Sequence, residues 1–360
     1  MAEIISAKET TVNIITVKEH EVTVLVNQGK GEKGEKGDTG AVDSTLVGFL
    51  SQDLTGVLTR TDNSVSFVTN TRIFSWSIDS STDVYYRGTK YTVSGIKSIE
   101  IPDVTGGNYI IYNYLTGQLA LDGAYGNIRS SILIGYVYWD SLGKTAIIAA
   151  DERHSVARDT QWHYSEHRNR GAIWRSGGEL TYTLNSDTNV NLTFASPIVM
   201  ADEDLEHNIT ASASPVNNYE QVLTDALLPT VYLNGAGYAQ IPPVLPIWPH
   251  ATGGRCYYNN IVNGVGTLVE AGNSKFVTYY VVATNDIKYP IKLIMGHGEY
   301  NNAQQAASET FLHYGLPIPE MFPMYKVVLQ TATGYNNSSK VVINSIIAIN
   351  SSKANSFANF

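Results

Sequence analysis

Short runs in which apolar and polar residues alternate are the commonest pattern along the chain, and this alternation predicts β-strands. Between residues 43 and 150 the runs recur roughly every ten residues, with turn signals such as Gly106-Gly107 and Asp122-Gly123 between them. No helical period competes with them, so residues 43–150 are predicted to be a β domain of the sandwich or barrel class. The strands predicted here are residues 64–69, 83–86, 91–93, 96–101, 109–112, 132–139 and 145–148.

The alternation resumes after residue 176 and predicts a C-terminal β domain over residues 177–360. A helix is predicted near residues 303–314, because Asn302 and Gln305 resemble a capping box and Gly315 follows as a stop signal. A proline-rich passage at 241–249 is expected to be an extended surface or strand-edge segment, since proline cannot donate to a central ladder. The strands predicted here are residues 181–184, 190–194, 230–233, 276–284, 291–295, 325–331 and 340–349.

The first 28 residues contain two further alternating runs, at 11–17 and 21–26, which predict two short strands. An isolated two-stranded hairpin is only marginally stable in water. The segment is therefore expected to need another copy of itself or a docking partner, and residues 1–28 indicate a role in assembly.

Four unbroken triplets with glycine in the first place follow, and they are the most specific pattern in the sequence. A collagen-like triple helix requires glycine at every third position, because only glycine fits at its crowded axis. Residues 29–42 are therefore predicted to form a short stalk of three chains, in which the twelve triplet residues would span roughly 35 Å at about 3 Å per residue. A flexible linker rich in glycine and charge is the alternative. The stalk glycines are Gly31, Gly34, Gly37 and Gly40.

Residues 151–176 are dense in charged, histidine and tryptophan side chains, unlike the segments on either side. A cap at Asp159 or Thr160 and a stop at Gly171 predict a short helix, so the segment is interpreted as a helical elbow. Its acidic residues are expected to pair with its arginines in a polar joint between domains or between subunits. The residues predicted for this joint are Asp151, Arg153, His154, His163, His167 and Arg168.

His163, Glu166 and His167 form an H-x-x-E-H pattern, which resembles the inverted zinc-protease motif. In zinc proteases two such histidines bind the metal and the glutamate acts as a base. A third ligand on another helix would be needed, and the strand-rich chain downstream offers none in such a motif. We therefore predict no catalytic metal and no cofactor. A structural metal bound by His163 or His167 of three subunits stays open.

Other catalytic patterns are incomplete. Gly296-His297-Gly298 lacks the third glycine of a nucleotide-binding turn, because position 301 is asparagine. The sequence has no G-x-S-x-G elbow, and its single cysteine, Cys256, stands in a predicted loop with no identifiable base. The chain is therefore predicted not to be an enzyme.

The densest acidic cluster of the sequence comprises Asp202, Glu203, Asp204 and Glu206. Two carboxylates about 5–10 Å apart suffice for glycoside hydrolysis, and such a pair stays open at the level of sequence. Most acidic clusters are solvated, so this one is expected to lie on the surface.

The charge and composition of the chain limit its partners. Its 360 residues include 24 Lys and Arg and 33 Asp and Glu, a formal net charge of −9. A negative surface is a poor match for nucleic acid or an anionic membrane, so neither is predicted as a partner. The longest apolar runs fall short of the roughly 20 residues of a membrane helix, so no membrane insertion is expected. The first ten residues lack the pattern of a signal peptide.

Three stretches of the chain resemble tail fibre or appendage proteins of tailed bacteriophages. The first is GEKGEKGDTG, a collagen-like stalk between a short β anchor and a β-rich head. The second is DERHSVARDTQWHYSEHRNRGAIWRSGGEL at residues 151–180, which resembles a D-E/x-R-H-G … H-x-x-x-H-R-x-x-G-A segment of uncharacterised phage tail proteins. The third, residues 257–330, is similar to the C-terminal part of the same group. Two departures are Ser155, where glycine is usual, and His297, where glutamine is expected.

The resemblance implies a mainly β homotrimer of the virion tail, assembled in the host cytoplasm. Residues 1–28 would attach it to phage tail or baseplate proteins. Its distal domains would bind a polysaccharide or protein receptor on the bacterial surface. The alternatives are a tailspike-like enzyme that cleaves surface polysaccharide and a purely structural tail or baseplate component.

Overall fold

The computed structural model describes residues 13–18, 21–25, 54–123, 131–156, 165, 166, 169, 171–311, 316 and 321–349. Contacts within the chain divide it into two compact units, residues 1–50 and 51–360. The predicted site residues that lie outside the described ranges are Gly31, Gly34, Gly37, Gly40, His163, His167 and Arg168.

The described part of the smaller unit is a pair of antiparallel strands, β1 (Asn13–Lys18) and β2 (Glu21–Leu25). Lys18 lies opposite Glu21 in the ladder, so only two residues connect the strands. The two strands correspond to the two alternating runs that the sequence predicts.

The first eight strands of the larger unit form two sheets of four strands each. They are β3 (Gly56–Val57), β4 (Asn63–Val68), β5 (Ile73–Tyr86), β6 (Thr89–Glu100), β7 (Gly106–Asn113), β8 (Gln118–Asp122), β9 (Ile132–Asp140) and β10 (Thr145–Asp151). In the first sheet β5 pairs with β3, β4 and β6, and the second sheet has the order β10-β9-β7-β8. One hydrophobic core takes side chains from both sheets, among them Phe74, Trp76, Ile110 and Trp139.

The remaining strands of the larger unit build two larger sheets and two strand pairs. They are β11 (Ile173–Ser176), β12 (Leu180–Thr181), β13 (Thr193–Phe194), β14 (Ile198–Asp202), β15 (Leu205–Ala211), β16 (Glu220–Gln221), β17 (Thr230–Asn234), β18 (Gly237–Ile241), β19 (Tyr257–Val262), β20 (Val265–Glu270), β21 (Phe276–Thr284), β22 (Ile291–Tyr300), β23 (Met321–Thr331) and β24 (Val341–Ala348). The sheets have the orders β11-β14-β15-β16 and β18-β17-β22-β21-β23-β24, while β12 pairs with β13 and β19 with β20. A second core lies among them and includes Trp248 and Tyr279.

The larger unit has two halves, strands β3–β10 and strands β11–β24, and a third apolar cluster joins them. Along β9, Ile134 belongs to the first core and Tyr138 to this third cluster. Along β21, Val281 belongs to the second core and Val282 to the third cluster. Both strands are therefore buried on both faces, which is why they read as continuous apolar runs in the sequence.

The mainly β class that the sequence predicts is confirmed by this architecture. Within the described ranges, no helix has the length and apolar character that a membrane span requires.

The predicted helix near residues 303–314 is much shorter in the structure. Helix α1 (Ala303–Ala307) begins after Asn302, whose side chain accepts a hydrogen bond from the backbone N–H of Gln305 at 2.9 Å, as the capping pattern predicts. The helix ends at Ser308, because the N–H of Glu309 turns back to the carbonyl of Ala306. The rest of the predicted helix is wrong through residue 311, and residues 312–315 lie outside the described ranges.

The predicted helical elbow at residues 151–176 is strand at both ends. Asp151 pairs with Gly135 as the last residue of β10, and β11 begins at Ile173. Residues 165, 166 and 169 have helical backbone. The strand ends are explained by the sheet pairing, which extends beyond the apolar run into the charged segment.

The proline-rich passage at 241–249 lies at the surface only in its first part, where Val244 and Leu245 are 56% and 50% exposed as expected. Ile247 and Trp248 are buried in the second core. The indole N–H of Trp248 donates to the carbonyl of Val190 at 2.8 Å, which satisfies the only polar group of that side chain. The passage therefore contributes an anchor to the core.

Candidate functional site

A buried ion pair lies at the end of β10. Arg153 Nη2 and Nε donate to the two carboxylate oxygens of Asp151 at 2.6 and 2.7 Å, and each side chain is only 7% exposed. Burial raises the pKa of Asp151, but the hydrogen bonds and charge of Arg153 outweigh it and hold that pKa below its usual value. The predicted pairing of an acidic residue with an arginine of this segment is confirmed for Asp151 and Arg153.

The same arginine ties β10 to the first sheet. Arg153 Nη1 donates to both the backbone and the side-chain oxygen of Asn63, at 2.7 Å for the backbone bond. The side-chain oxygen of Asn63 also accepts a hydrogen bond from the indole N–H of Trp76 at 2.7 Å. Arg153 therefore links the start of β4 and the core tryptophan of β5 to the end of β10.

Glu152 faces a second group of buried residues. Its Oε1 accepts a hydrogen bond from the Asn285 side-chain amide at 2.6 Å, and the same amide nitrogen donates to Asp202 Oδ2 at 3.2 Å. Glu152 follows β10, Asp202 ends β14 and Asn285 follows β21. Asn285 therefore bridges two carboxylates that lie far from each other in the sequence.

His154 lies at the centre of this group. Its Nδ1 is 2.7 Å from Asp204 Oδ1, and its Nε2 is 3.4 Å from Glu152 Oε2. Burial lowers the pKa of His154, but the hydrogen bonds to these two carboxylates and the charge of Asp202 raise it well above its usual value. The ring is therefore an imidazolium at neutral pH and donates from both nitrogens.

The acidic turn after β14 is largely enclosed, which corrects the expectation that this cluster lies on the surface: Asp202 is buried, and the side chains of Glu203 and Asp204 are 2% and 20% exposed. Asp202 pairs with Leu205, so Glu203 and Asp204 form the two-residue connection between β14 and β15. Asp204 Oδ2 accepts a hydrogen bond from the backbone N–H of Ser155 at 2.9 Å. Only Glu206, on the outer face of β15, is exposed as expected.

Glu203 carries the largest electrostatic perturbation of the turn. Its side chain is 2% exposed, and its Oε2 is 3.9 Å from His154 Nδ1. Burial raises the pKa of Glu203 to about 10, because the opposing charge of His154 does not compensate for the burial and for the neighbouring carboxylates. Glu203 therefore keeps its proton at neutral pH.

His207 on β15 is neutral, whereas His154 is positively charged. Burial lowers its pKa to about 4, although the charge of Asp151 acts in the other direction. Its ring stacks on Tyr219 with 4.4 Å between the ring centroids. His207 is therefore a neutral packing residue beside the charged network.

Two overlapping sets of side chains around His154 contain metal-ligand atoms within 4.8 Å of one another. They are Glu152, His154 and Asp202, and His154, Glu203 and Asp204. A metal binds neutral imidazole, so an ion at either set would have to displace a proton from His154. In the described structure the imidazolium supplies the positive charge, and the arrangement is a clamp that joins three segments of the larger unit.

A second buried ion pair lies near the clamp. Lys292 Nζ on β22 is 2.6 Å from Asp286 Oδ2, and the two side chains are 0% and 4% exposed. Asp286 lies in a loop that docks on β10, since Asp286 bridges to Ala150 and the N–H of Ile287 donates to the carbonyl of Ala149 at 2.9 Å. The pair therefore fixes the junction between the second sheet and the six-stranded sheet.

Cys256 is enclosed in the second core. It lies fully buried directly before β19, with its sulfur 3.1 Å from the hydroxyl oxygen of Tyr279. Burial raises the pKa of its thiol to about 12. The loop expected around this cysteine is in fact the start of the β19–β20 pair.

Of the predicted polar joint, the structure places Asp151 and Arg153 in one buried group with Asn63 and places His154 in the adjacent group with Glu152. His163, His167 and Arg168 lie outside the described residues, and a contact between subunits stays a prediction. Asn63 and Asn285 are not predicted from the sequence, and they lie 90 and 133 positions from their partners Arg153 and Glu152. No local sequence signal marks such distant pairings.

We expect the thermal stability of the protein to fall as the pH rises from 7 to 9. Glu203 has its pKa raised to about 10, so unfolding at these pH values releases a proton. His154, with its pKa raised well above the usual value, acts in the same direction. A raised pKa contributes stability that is complete at low pH and is lost as the pH rises toward the folded-state value. Each released proton costs at most about 1.4 kcal/mol per pH unit.

Melting curves of the full chain between pH 5 and pH 9 measure this dependence. Glu203→Gln should be as stable as the parent near pH 5 and more stable at pH 9, because the amide needs no proton. Glu206→Gln changes an exposed neighbour and is the matched control, for which the parent's pH dependence is expected. Equal slopes for Glu203→Gln and the parent would contradict the assignment.

Comparisons of the chain with protein-family models, curated proteins and solved structures found no match.

Proposed function

We propose that the chain is a homotrimeric tail fibre or appendage protein of a tailed bacteriophage and attaches the virion to the host cell surface. The observation that carries the proposal is the run of four glycine triplets at residues 31–42, close before a compact β unit that begins at residue 51. A collagen-like triple helix needs three chains. Such a stalk would tether three copies of the β unit.

The N-terminal strands β1 and β2 supply the second element of the proposal. A two-stranded pair is marginally stable alone and leaves backbone groups unpaired at both edges. Phage tail or baseplate proteins that add strands to these edges would stabilise the pair. The protein is accordingly assigned to the virion tail.

The larger unit has the properties of a rigid recognition head. Its halves share an apolar cluster, and the buried clamp around His154 joins segments from both halves. Three such heads on one stalk would turn weak contacts with a surface polysaccharide or protein receptor into strong binding. The formal net charge of −9 favours neither nucleic acid nor an anionic membrane as the partner.

Competition for adsorption tests the attachment role. Purified full-length trimer is added to host cells before the phage, and free phage is counted after adsorption. The proposal predicts that the protein binds the cells and reduces phage adsorption. A trimer that docks to tail proteins and ignores the cells would instead be a structural tail component, and consumption of the surface polysaccharide would identify an enzyme.

The substitution Gly34→Ala is expected to weaken the trimer, because an alanine side chain does not fit at the axis of a triple helix. The temperature at which the trimer dissociates should fall by several degrees, while the melting of the larger unit stays unchanged. Thr39→Ala changes the third position of a triplet and is the control. If Gly34→Ala and Thr39→Ala behave alike, residues 29–42 are a linker.

A further inference from the structure

Strand β4 pairs only with β5 among the described strands, and its hydrogen bonds show which of its backbone groups point outward. Residues of an antiparallel ladder alternate between pointing their N–H and C=O groups at the partner strand and pointing them away. The N–H of Asp79 donates to the carbonyl of Asp62 at 3.0 Å in the register of the β4–β5 ladder, so Asp62 points at β5. Asn63, Val65 and Phe67 therefore point away from β5.

Side chains from elsewhere in the chain pair with two of these three outward positions. The carbonyl of Asn63 accepts a hydrogen bond from Arg153 Nη1 at 2.7 Å, and the carbonyl of Val65 accepts one from the Asn218 side-chain amide at 2.8 Å. No described residue donates to the carbonyl of Phe67 or accepts from its N–H on this side of the strand. The edge of β4 is therefore open at Phe67.

The open position lies in a cleft of about 450 Å³ between the two halves of the larger unit. Ser66 and Phe67 line the cleft from the first half, and the other lining residues belong to the second half. Junctions between such units are common places for ligand sites. Most of the lining is apolar or aromatic and includes Phe67, Pro215, Val216, Leu227, Pro243 and Tyr289.

Hydrogen bonds hold the wall that faces this edge in one conformation. The Glu220 carboxylate accepts from the backbone N–H of Val216 at 2.9 Å and from the side-chain amide of Asn217 at 2.7 Å. The N–H of Tyr219 donates to the carbonyl of Ile287 at 2.9 Å, which ties the loop between β15 and β16 to the loop after β21. The cleft is therefore preformed, and a ligand would not have to order its walls.

An open strand edge beside apolar walls favours an extended peptide as the ligand. Two strands that pair in an antiparallel ladder exchange both N–H···O=C bonds between single residues, and the N–H and C=O of Phe67 suit one such exchange. The apolar lining would cover side chains of the added segment. Glu220 and Lys288 are the charged residues of the lining, one of each sign, so the cleft does not select a strongly charged ligand.

We infer that this cleft binds an extended peptide segment of a protein on the host cell surface, and that the segment adds to the edge of β4 at Phe67. The inference rests on the proposed attachment function and selects a protein over a polysaccharide as the receptor. The segment is assigned to the host because docking to the tail is assigned to residues 1–28. Its apolar side chains would lie against Val216 and Pro243.

Adsorption of the purified full-length protein to treated host cells tests the class of receptor. One batch of cells is digested with proteinase K, and another is oxidised with periodate, which cleaves the vicinal diols of sugars. We expect proteinase K to abolish adsorption and periodate to leave it in place.

Variants of the cleft test its location. Val216→Asp places a charge on the apolar wall, and because Val216 is 84% exposed the fold should tolerate the change. We expect adsorption to untreated cells to weaken about tenfold or more. Val262→Asp changes another exposed valine, 58% exposed and outside the lining, and should adsorb like the parent.

A second pair of variants tests the main-chain bond. Phe67→Pro and Phe67→Ala both lose the aromatic ring, but only proline loses the outward N–H, at an edge position where proline is tolerated. Phe67→Pro should therefore adsorb several-fold more weakly than Phe67→Ala. Equal adsorption of these two variants, if both are folded, would contradict the strand addition.

Melting curves and light scattering establish that each variant is folded and trimeric before its adsorption is compared. Equal adsorption of Val216→Asp and Val262→Asp would overturn the inference. So would a Val216→Asp protein that no longer assembles, because the cleft would then hold a neighbouring subunit. Parent adsorption that survives proteinase K would overturn the inference and leave the attachment function in place. A parent trimer that adsorbs to no cells would overturn both.

Discussion

Replacement of Arg153 by methionine is expected to lower the free energy of unfolding of the larger unit by about 3–5 kcal/mol. The substitution leaves the Asp151 carboxylate buried without its bidentate partner, and each side chain of this pair is only 7% exposed. It also removes the donor to Asn63, which connects β10 to the first sheet. A loss of this size would lower the melting temperature by roughly 10 °C.

Two further variants separate the buried charge from a general effect of methionine. Arg175→Met removes an exposed arginine on β11 and should shift the melting temperature little. The double variant Asp151→Asn/Arg153→Met should recover part of the loss, because it removes the stranded charge together with its partner. An Arg153→Met protein as stable as the parent would show that the pair contributes nothing to stability.

Replacement of Lys292 by methionine is the second change with a large expected effect, again about 3–5 kcal/mol. Lys292 is fully buried on β22, and its ammonium group lies 2.6 Å from the Asp286 carboxylate. Methionine fills much of the same volume, so the expected loss reflects the unpaired carboxylate and not a cavity. The loop of Asp286 docks on β10, so we expect the junction between the two halves to loosen as well.

Chemical denaturation of the full chain measures this loss. Lys288→Met, which changes an exposed lysine two residues from Asp286, is the matched control. Asp286→Asn combined with Lys292→Met should restore much of the stability, because asparagine is neutral and its side-chain oxygen can still accept from the N–H of Lys288, as Asp286 does at 2.8 Å. If the double variant is no more stable than Lys292→Met, the charge is not the cause of the loss.

The strands that the sequence predicts best are those whose two faces are both buried. β9 and β21 are buried on both faces, so their residues are apolar at consecutive positions whatever their partners are. β15 was missed, because the inward positions of its alternating pattern include the polar His207. Its pattern has the period of a strand but not the composition of one.

The β19–β20 pair was missed although its turn carries a strong signal. Asn263 and Gly264 connect the strands, and both have positive φ angles, 52° and 77°. Asn-Gly is the favoured pair for such a two-residue connection, because these residues adopt positive φ at low cost. The many asparagine and tyrosine residues around it suggested a loop.

The buried clamp is beyond the reach of local sequence patterns. Asp204 lies 50 positions from His154 and Asn285 lies 133 positions from Glu152. An acidic turn is usually solvated, and only the pairing of β14 with β15 and β11 brings this one against an imidazolium. Asp202, Glu203 and Asp204, which the sequence places at the surface, therefore lie instead beside the charged ring of His154.

The mass of the full chain in solution is the most direct test of the central claim that three copies assemble through the glycine triplets. Light scattering at micromolar concentration should give about 118 kDa, three times the 39.4 kDa of one chain. A mass of 39.4 kDa at that concentration would contradict the triple-helical stalk and, with it, the trimeric attachment protein proposed from it.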